Sequence, residues 1–186
     1  MFQGEALEKA LERSKTQANE VDCVFAGDLL NQCIGSSFGL MKFGIPYLGQ
    51  YGACSTMAQS LIMAASAVES GGAKVSACVT SSHFASAERQ YRFPLEYGGV
   101  RTPTAQWTVT GAGSCILKSL KKGICVARAT VGRIVDLGVS DANNMGAAMA
   151  PAASQTLECY LEDTKTSPED YDMIIKIGRA SCRERV

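Results

Sequence analysis

The sequence predicts an α/β fold in which helices cover a largely parallel β-sheet. Strand-like and helix-like segments alternate along the 186 residues, and such alternation is typical of sheets whose parallel strands are joined by crossover helices. The composition, 46% apolar and 19% charged, suits a domain with a sizeable core. An internal repeat indicates in addition that the fold contains two similar halves.

The repeat has an offset of 150 residues. Both copies predict an amphipathic helix, a polar loop and then a buried strand, at 21–26 in the first copy and at 171–175 in the second. The spacing is too wide for a solenoid, whose repeats are about 20–50 residues long, so it favours two halves of one fold. The identities are Leu7, Leu11, Glu12, Lys15, Thr16 and Asp22, matched by Leu157, Leu161, Glu162, Lys165, Thr166 and Asp172.

The most regular element between the copies is a helix over 55–70, where nearly every residue is Ala, Ser, Met, Leu, Ile or Val. This composition predicts a helix that is buried almost all round, and Gly71-Gly72 predicts its end. Further strands are expected at 74–80, 106–117 and 123–135, and a loop at 143–150 precedes a helix that has Pro151 in its first turn.

Charge and composition argue against several classes of function. Basic and acidic residues number 18 each, so the formal net charge is zero, which gives no electrostatic basis for nucleic-acid binding. No apolar run reaches the roughly 20 residues that span a bilayer, and the charged N-terminal segment lacks a secretory signal pattern. The eight cysteines show no metal-ligand spacing. We therefore expect reduced, mostly buried thiols in a reducing compartment, and no metal or other cofactor.

The C-terminal stretch 177–186 does not continue the pattern before it. It follows the strand-like run 171–175 and turns basic without hydrophobic periodicity. The string reads as one translated frame of a common sequencing-library adapter. We therefore expect 177–186 not to be native sequence and exclude it from fold reasoning; an ordinary basic tail is the alternative.

Cys54 is the strongest candidate for chemistry. It lies between Gly52-Ala53 and Ser55, at the junction where the helix over 55–70 begins. The N-terminal end of a helix is electropositive and favours a thiolate over a thiol. The position therefore suits a nucleophile, and the alternative is a buried structural thiol.

His83, Asn31, Arg89 and Arg92 are the further candidates. His83 is the only histidine and follows the strand over 74–80, while Asn31 follows the strand over 21–26; ligands bind at this end of parallel strands. Arg89 and Arg92, in a segment rich in aromatics and charge, could clamp a planar dianion by bidentate hydrogen bonds and stacking. The alternatives are an ordinary histidine at His83, a polar turn at Asn31 and, for the two arginines, a loop held by salt bridges.

Several long motifs occur in the order of a known family. They include Ala26-Gly27-Asp28-Leu29-Leu30-Asn31-Gln32, Gly52-Ala53-Cys54-Ser55-Thr56, Thr80-Ser81-Ser82-His83 and Ala87-Glu88-Arg89-Gln90-Tyr91-Arg92-Phe93-Pro94. With them, residues 1–176 closely resemble the stage V sporulation protein AD family of endospore-forming bacteria. The resemblance implies a thiolase-like layered α/β fold (αβαβα) with two duplicated halves. It places the first half at 1–140, without its first strand region, and the start of the second half at 141–176.

The resemblance also implies a function. The family's implied role is to bind dipicolinic acid and help move it into the developing spore with other proteins of the same operon. It further implies a homodimer on the cytoplasmic side, peripherally associated with the spore inner membrane. Cys54 falls where thiolase-type enzymes carry their nucleophile, but the partner residues of those enzymes come mostly from the second half. We therefore expect a binding protein whose ligand site contains Cys54, His83, Asn31, Arg89 and Arg92. One alternative is an acyl-condensing enzyme of the ketoacyl-synthase or thiolase type with Cys54 as nucleophile. Another is a scaffold for the transport assembly whose cleft is vestigial.

Overall fold

The computed structural model describes residues 2–86, 97–99, 108–120, 123–141 and 144–175. The chain divides into two compact units, Met1–Ile124 and Cys125–Val186. Among the described residues, the first unit contains a four-stranded sheet and three α-helices, and the second contains one long α-helix.

The sheet of the first unit is mainly parallel, as the sequence predicts. Its strands lie in the order β2-β1-β3-β4. The central strand β1 pairs in parallel with both β2 and β3, while β4 pairs antiparallel with β3. The strand bounds are β1 Cys23–Asp28, β2 Tyr47–Gly49, β3 Val75–Ser82 and β4 Gly111–Lys118.

Helices cover both faces of this sheet because the side chains of its central strands alternate between two apolar clusters. Val24 and Ala26 of β1 face α1 (Phe2–Ser14) and α2 (Ile34–Leu40), whereas Phe25 faces α3 (Thr56–Glu69). Successive residues of a strand point to opposite faces, so an uninterrupted apolar strand needs cover on both sides. The result is a three-layer α-β-α arrangement.

The helix α3 lies where the sequence predicts it, but its burial differs from the prediction. Its buried residues form one stripe, at Thr56, Ser60 and Ala64, and Met63 is 44% exposed. A helix that packs on a sheet buries the face turned towards it, and within the described residues the opposite face of α3 is only partly covered. The predicted end is confirmed, since Gly71 takes a positive φ of 76° directly after the helix.

The second unit corrects two predictions from the sequence. The helix α4 (Met145–Thr164) begins before the predicted loop 143–150 ends, because the side chain of Asn144 accepts a hydrogen bond from the amide of Ala147 at 3.2 Å and caps it. Pro151 therefore lies inside the helix and not in its first turn. No strand forms in the described parts of 123–135 or 171–175, since a strand needs a partner for its ladder of hydrogen bonds.

The internal repeat is visible in the backbone of each unit. α1 and α4 end at equivalent residues, and the next residue is left-handed in both, with φ of 52° at Lys15 and 54° at Lys165. The amides of Thr16 and Thr166 then donate to the carbonyls of Leu11 and Leu161, both at 3.0 Å. A 3-10 turn follows each cap, at Ala18–Glu20 and Pro168–Asp170. The helix and loop of the predicted repeat are thus confirmed, and its strand is present in the first copy alone among the described residues.

Candidate functional site

Three loops leave the sheet at one edge, where the parallel strands β1, β2 and β3 have their carboxyl ends. They comprise residues 28–33 after β1, 50–55 after β2 and 81–83 at the end of β3, and are called the carboxyl-edge loops below. The register of β1 and β3 sets Asp28 opposite Ser81, and β2 flanks β1 on its other side. This edge is the general place for ligands in open α/β sheets.

Strained backbone is concentrated in the carboxyl-edge loops. Gln32, Cys33 and Ala53 have φ of 60°, 54° and 47°, a left-handed conformation that costs a residue with a side chain about 1–2 kcal/mol. The remaining positive-φ residues other than glycine that the structure describes are Lys15 and Lys165, both at helix ends. Strain of this kind persists where surrounding contacts enforce it and clusters at functional sites. The strain therefore indicates a functional site at the same edge of the sheet as the sequence motifs do.

Cys54 has an exposed thiol in a 3-10 turn, Ala53–Ser55, that leads directly into α3. Buried Thr56 holds this turn: its Oγ1 accepts from the amide of Gly52 at 3.2 Å and donates to the carbonyl of Ala53 at 2.9 Å. The amide of Ser55 donates to the carbonyl of Gly52 at 2.9 Å. Cys54 is thus presented outward on a well-bonded, strained turn, as a nucleophile or ligand contact would be.

The turn that carries Cys54 is also fixed from its N-terminal side, at Gln50. The Gln50 amide donates to the carbonyl of Ala26 at 2.8 Å, and its carbonyl accepts from Sγ of Cys33 at 3.3 Å. Gly27 lies directly against that carbonyl, since a Cβ at Gly27 would stand 1.8 Å from it. The loops after β1 and β2 are therefore in direct contact.

A buried polar network fixes the loop after β1. Asp28, only 3% exposed, accepts from the amide of Leu30 at 2.6 Å and from Oγ of Ser36 at 2.9 Å. Nε2 of buried Gln3 lies 2.9 Å from the same Oγ of Ser36, and 3.0 Å from both the carbonyl of Gly27 and Oγ of Ser81. Asp28 thus acts as a turn cap for the loop after β1. The role of Gln3 has no sequence signal, because it is set by tertiary burial.

His83 lies at the end of β3 and is partly engaged by its own turn. Its Nδ1 accepts from the amides of Ala85 at 3.1 Å and Ser86 at 3.3 Å. A neutral imidazole with an accepting Nδ1 carries its proton on Nε2. The ring also stacks with Phe2 and with Phe84, at centroid distances of 6.1 Å and 5.5 Å. A flat aromatic surface therefore stands at this edge.

The structure locates one of the three other predicted site residues. Asn31 opens the 3-10 turn Asn31–Cys33 directly after β1, and thus belongs to the carboxyl-edge loops. Arg89 and Arg92 lie outside the described residues. No group of three or more His, Cys, Asp or Glu side chains in the described ranges is arranged to hold a metal ion.

Packing within the sheet shifts the pKa values of two of its side chains, Cys78 and Tyr47. Cys78 and Cys115 face each other across β3 and β4, and a hydrogen bond to Cys115, together with burial, raises the pKa of Cys78. Burial, with Cys33 alongside, raises the pKa of Tyr47 to about 12. Cys78 and Tyr47 therefore stay protonated at neutral pH. Every cysteine that the structure describes is a free thiol, but among these only Cys33 and Cys78 are buried, so the expectation of mostly buried thiols is wrong.

Comparison with solved structures defines the class of fold. A Xanthomonas campestris OleA structure with bound lauric acid and lauroyl-CoA has a TM-score of 0.67 at 15% identity, over 92% of this chain and 58% of that one. The 3-oxoacyl-[acyl-carrier-protein] synthase III of Aquifex aeolicus has a TM-score of 0.52 at 17% identity, over 64% of this chain and 38% of that one. The fold is therefore the thiolase-like α/β fold of the ketosynthases.

Sequence comparison defines the family within that class. The profile of the Stage V sporulation protein AD family (SpoVAD) matches residues 1–181, which include the beginning of the terminal stretch 177–186. The Stage V sporulation protein AD of Bacillus subtilis is 40% identical over 171 residues, which is 92% of this chain and 51% of that protein. The chain belongs to the stage V sporulation protein AD family, and it spans about half the length of this curated relative. The adapter origin of 177–186 stays a prediction.

No helix among the described residues combines the length and the apolar character needed to cross a membrane.

Proposed function

We propose that the chain forms part of a sporulation protein that binds dipicolinic acid and helps to move it into the developing spore. The observation that carries the proposal is the cluster of strained and tightly bonded carboxyl-edge loops around Cys54, in a chain of this family. Their rigidity favours a preorganised ligand site, because a site that is already ordered loses little entropy on binding.

The chemistry of the edge is compatible with a flat aromatic dianion. The carboxylate of Asp28, which would repel such a ligand, is buried and engaged by the Leu30 amide and the Ser36 hydroxyl. The cluster of Phe2, His83 and Phe84 offers a flat aromatic surface, and the His83 ring has one further nitrogen. Arg89 and Arg92 would supply positive charge, and guanidinium groups match carboxylates in geometry. Asn31 and the turn of Cys54 would complete the site.

The partners belong to the same proposal. We infer that the whole protein forms a homodimer and acts together with other proteins of the same operon. We further infer that it associates peripherally with the forespore inner membrane from the cytoplasmic side. The edge position of β2 supports the dimer, since an edge strand can pair with a second chain. Leu48 of β2 and the following Tyr51 are 53% and 48% exposed.

A second candidate function is acyl condensation with Cys54 as the nucleophile. The observation that favours it is the exposed thiol on a strained turn directly before α3, in a fold shared with a 3-oxoacyl-[acyl-carrier-protein] synthase. Such a nucleophile is obligatory, so its loss abolishes activity. A binding protein would lose only part of its affinity.

Calorimetry of dipicolinate with the whole protein tests the main proposal. We expect saturable heat with dipicolinate and much less with isophthalate, a dianion of similar shape without the ring nitrogen. Cys54→Ala should retain binding with reduced affinity, and Cys125→Ala, which removes another exposed thiol, should match wild type. Absence of heat at millimolar dipicolinate would overturn the proposal. Thioester condensation that Cys54→Ala abolishes would favour the enzyme.

A further inference from the structure

Cys33 occupies an unusual position in the carboxyl-edge loops. It is 8% exposed and left-handed, with φ of 54°. A residue with a side chain adopts this conformation only where its contacts offset the cost. Its backbone carbonyl accepts from Oγ of Ser37 at 2.7 Å, which fixes its orientation at the start of α2.

The Cys33 thiol points away from its own helix to the neighbouring loop. Its Sγ lies 3.3 Å from the carbonyl oxygen of Gln50, in a buried contact. Gln50 is itself 7% exposed and its amide is bonded to Ala26 of β1 at 2.8 Å. The thiol therefore joins the loop after β1 to the residue from which the Cys54 turn departs.

The turn of Cys54 is short and is anchored at both ends. Gln50 holds the N-terminal end, and Thr56, 1% exposed, holds the C-terminal end through its bonds to Gly52 and Ala53. The residues between these anchors include Ala53, which is strained. A strained segment relaxes when one of its anchors is released, so the contact of Cys33 with Gln50 bears directly on the placement of Cys54.

We propose that Cys33 is a positioning residue, whose thiol holds the Gln50 carbonyl and thereby fixes the turn that presents Cys54. The inference rests on the proposed function where it treats this turn as part of the ligand site. Its structural content, the coupling of two loops through one thiol, is independent of which ligand binds.

The test compares two substitutions that differ in one hydrogen-bond donor. Cys33→Ala removes the donor and Cys33→Ser retains one, while both keep a Cβ and hence the cost of the left-handed backbone. Cys78→Ala serves as a control, since it removes another buried thiol from the same sheet. The readout is amide hydrogen exchange over 50–55, compared with exchange over β3 in the same protein.

Loss of one hydrogen bond should accelerate exchange over 50–55 by about two- to tenfold in Cys33→Ala. Cys33→Ser should restore rates close to wild type, and Cys78→Ala should leave exchange over 50–55 at the wild-type rate. Equal exchange in Cys33→Ala and wild type would overturn the inference. So would a failure of Cys33→Ser to restore it, or an acceleration that is as large in β3 as in 50–55.

Dipicolinate calorimetry on the same variants separates this inference from the proposed function. If both hold, Cys33→Ala weakens binding by several-fold and Cys33→Ser does not. A wild-type protein that binds no dipicolinate overturns the proposed function, and the exchange pattern over 50–55 then decides the role of Cys33 by itself.

Discussion

Replacement of Gly27 by alanine should be severely destabilising. A Cβ at this position would stand 1.8 Å from the carbonyl oxygen of Gln50 and 2.7 Å from a methyl carbon of Thr56. The first distance is on the order of 1.5 Å short of a normal contact. The carbonyl cannot withdraw freely, because Cys33 and the backbone of β1 hold Gln50 in place. Overpacking costs about 1–3 kcal/mol in ordinary cores, and here we expect at least about 3 kcal/mol.

Urea denaturation followed by circular dichroism measures this effect on the free energy of unfolding. Gly113→Ala is the matched control, because Gly113 also lies in a strand of the same sheet but a Cβ there meets no described atom within 4 Å. That variant should match wild type or gain up to about 1 kcal/mol, since alanine loses less chain entropy than glycine on folding. If Gly27→Ala unfolds at the same urea concentration as Gly113→Ala, the close contact of the two loops is wrong.

Two further predictions concern polar groups. Gln3→Leu should lower the free energy of unfolding by about 1–3 kcal/mol, because it removes a buried amide whose Nε2 lies within 3.0 Å of the Gly27 carbonyl and of the Ser36 and Ser81 hydroxyls. The exposed Gln17→Leu should leave the free energy of unfolding unchanged, and equal urea midpoints for the two variants would contradict the network. Hydrogen bonds from the Val75 and Lys74 amides lower the pKa of Asp22 below its ordinary 3.8. The ionised carboxylate of Asp22 therefore stabilises the folded state above pH 3.8, and this stabilisation is lost as the pH falls through the lowered pKa. On acidification, the melting temperature should therefore fall less in Asp22→Asn than in wild type. Parallel curves of melting temperature against pH for the two proteins would contradict this.

The elements that the sequence predicts well are those with a local apolar pattern. The strands β1 and β3 and the helix α3 lie within two residues of their predicted bounds, because continuous apolar runs and a terminal glycine are local signals. The strands predicted at 123–135 and 171–175 are absent from the described residues for one reason. Apolar character permits a strand, but a strand forms only when a neighbouring strand supplies its hydrogen-bond partners. The prediction for Pro151 is wrong because the cap at Asn144 starts the helix earlier in the chain.

The candidate site was predictable in part, for the same reason. The position of Cys54 before a helix, and of Asn31 and His83 after strands, follows from the order of local elements. The positive φ of Ala53, the contact of Cys33 with Gln50 and the burial of Gln3 depend on tertiary contacts. Alanine, cysteine and glutamine carry no local preference for these states, so the sequence gives no signal of them.

Protection of Cys54 from alkylation tests the central claim most directly, that the carboxyl-edge loops form a dipicolinate site. The rate of iodoacetamide modification is followed residue by residue by mass spectrometry, with Cys125, exposed in the second unit, as the internal reference. The proposal predicts that dipicolinate slows modification of Cys54 in a saturable manner, leaves Cys125 unaffected, and has a far larger effect than isophthalate. Modification of Cys54 at an unchanged rate, under dipicolinate concentrations that saturate the heat of binding, would contradict it.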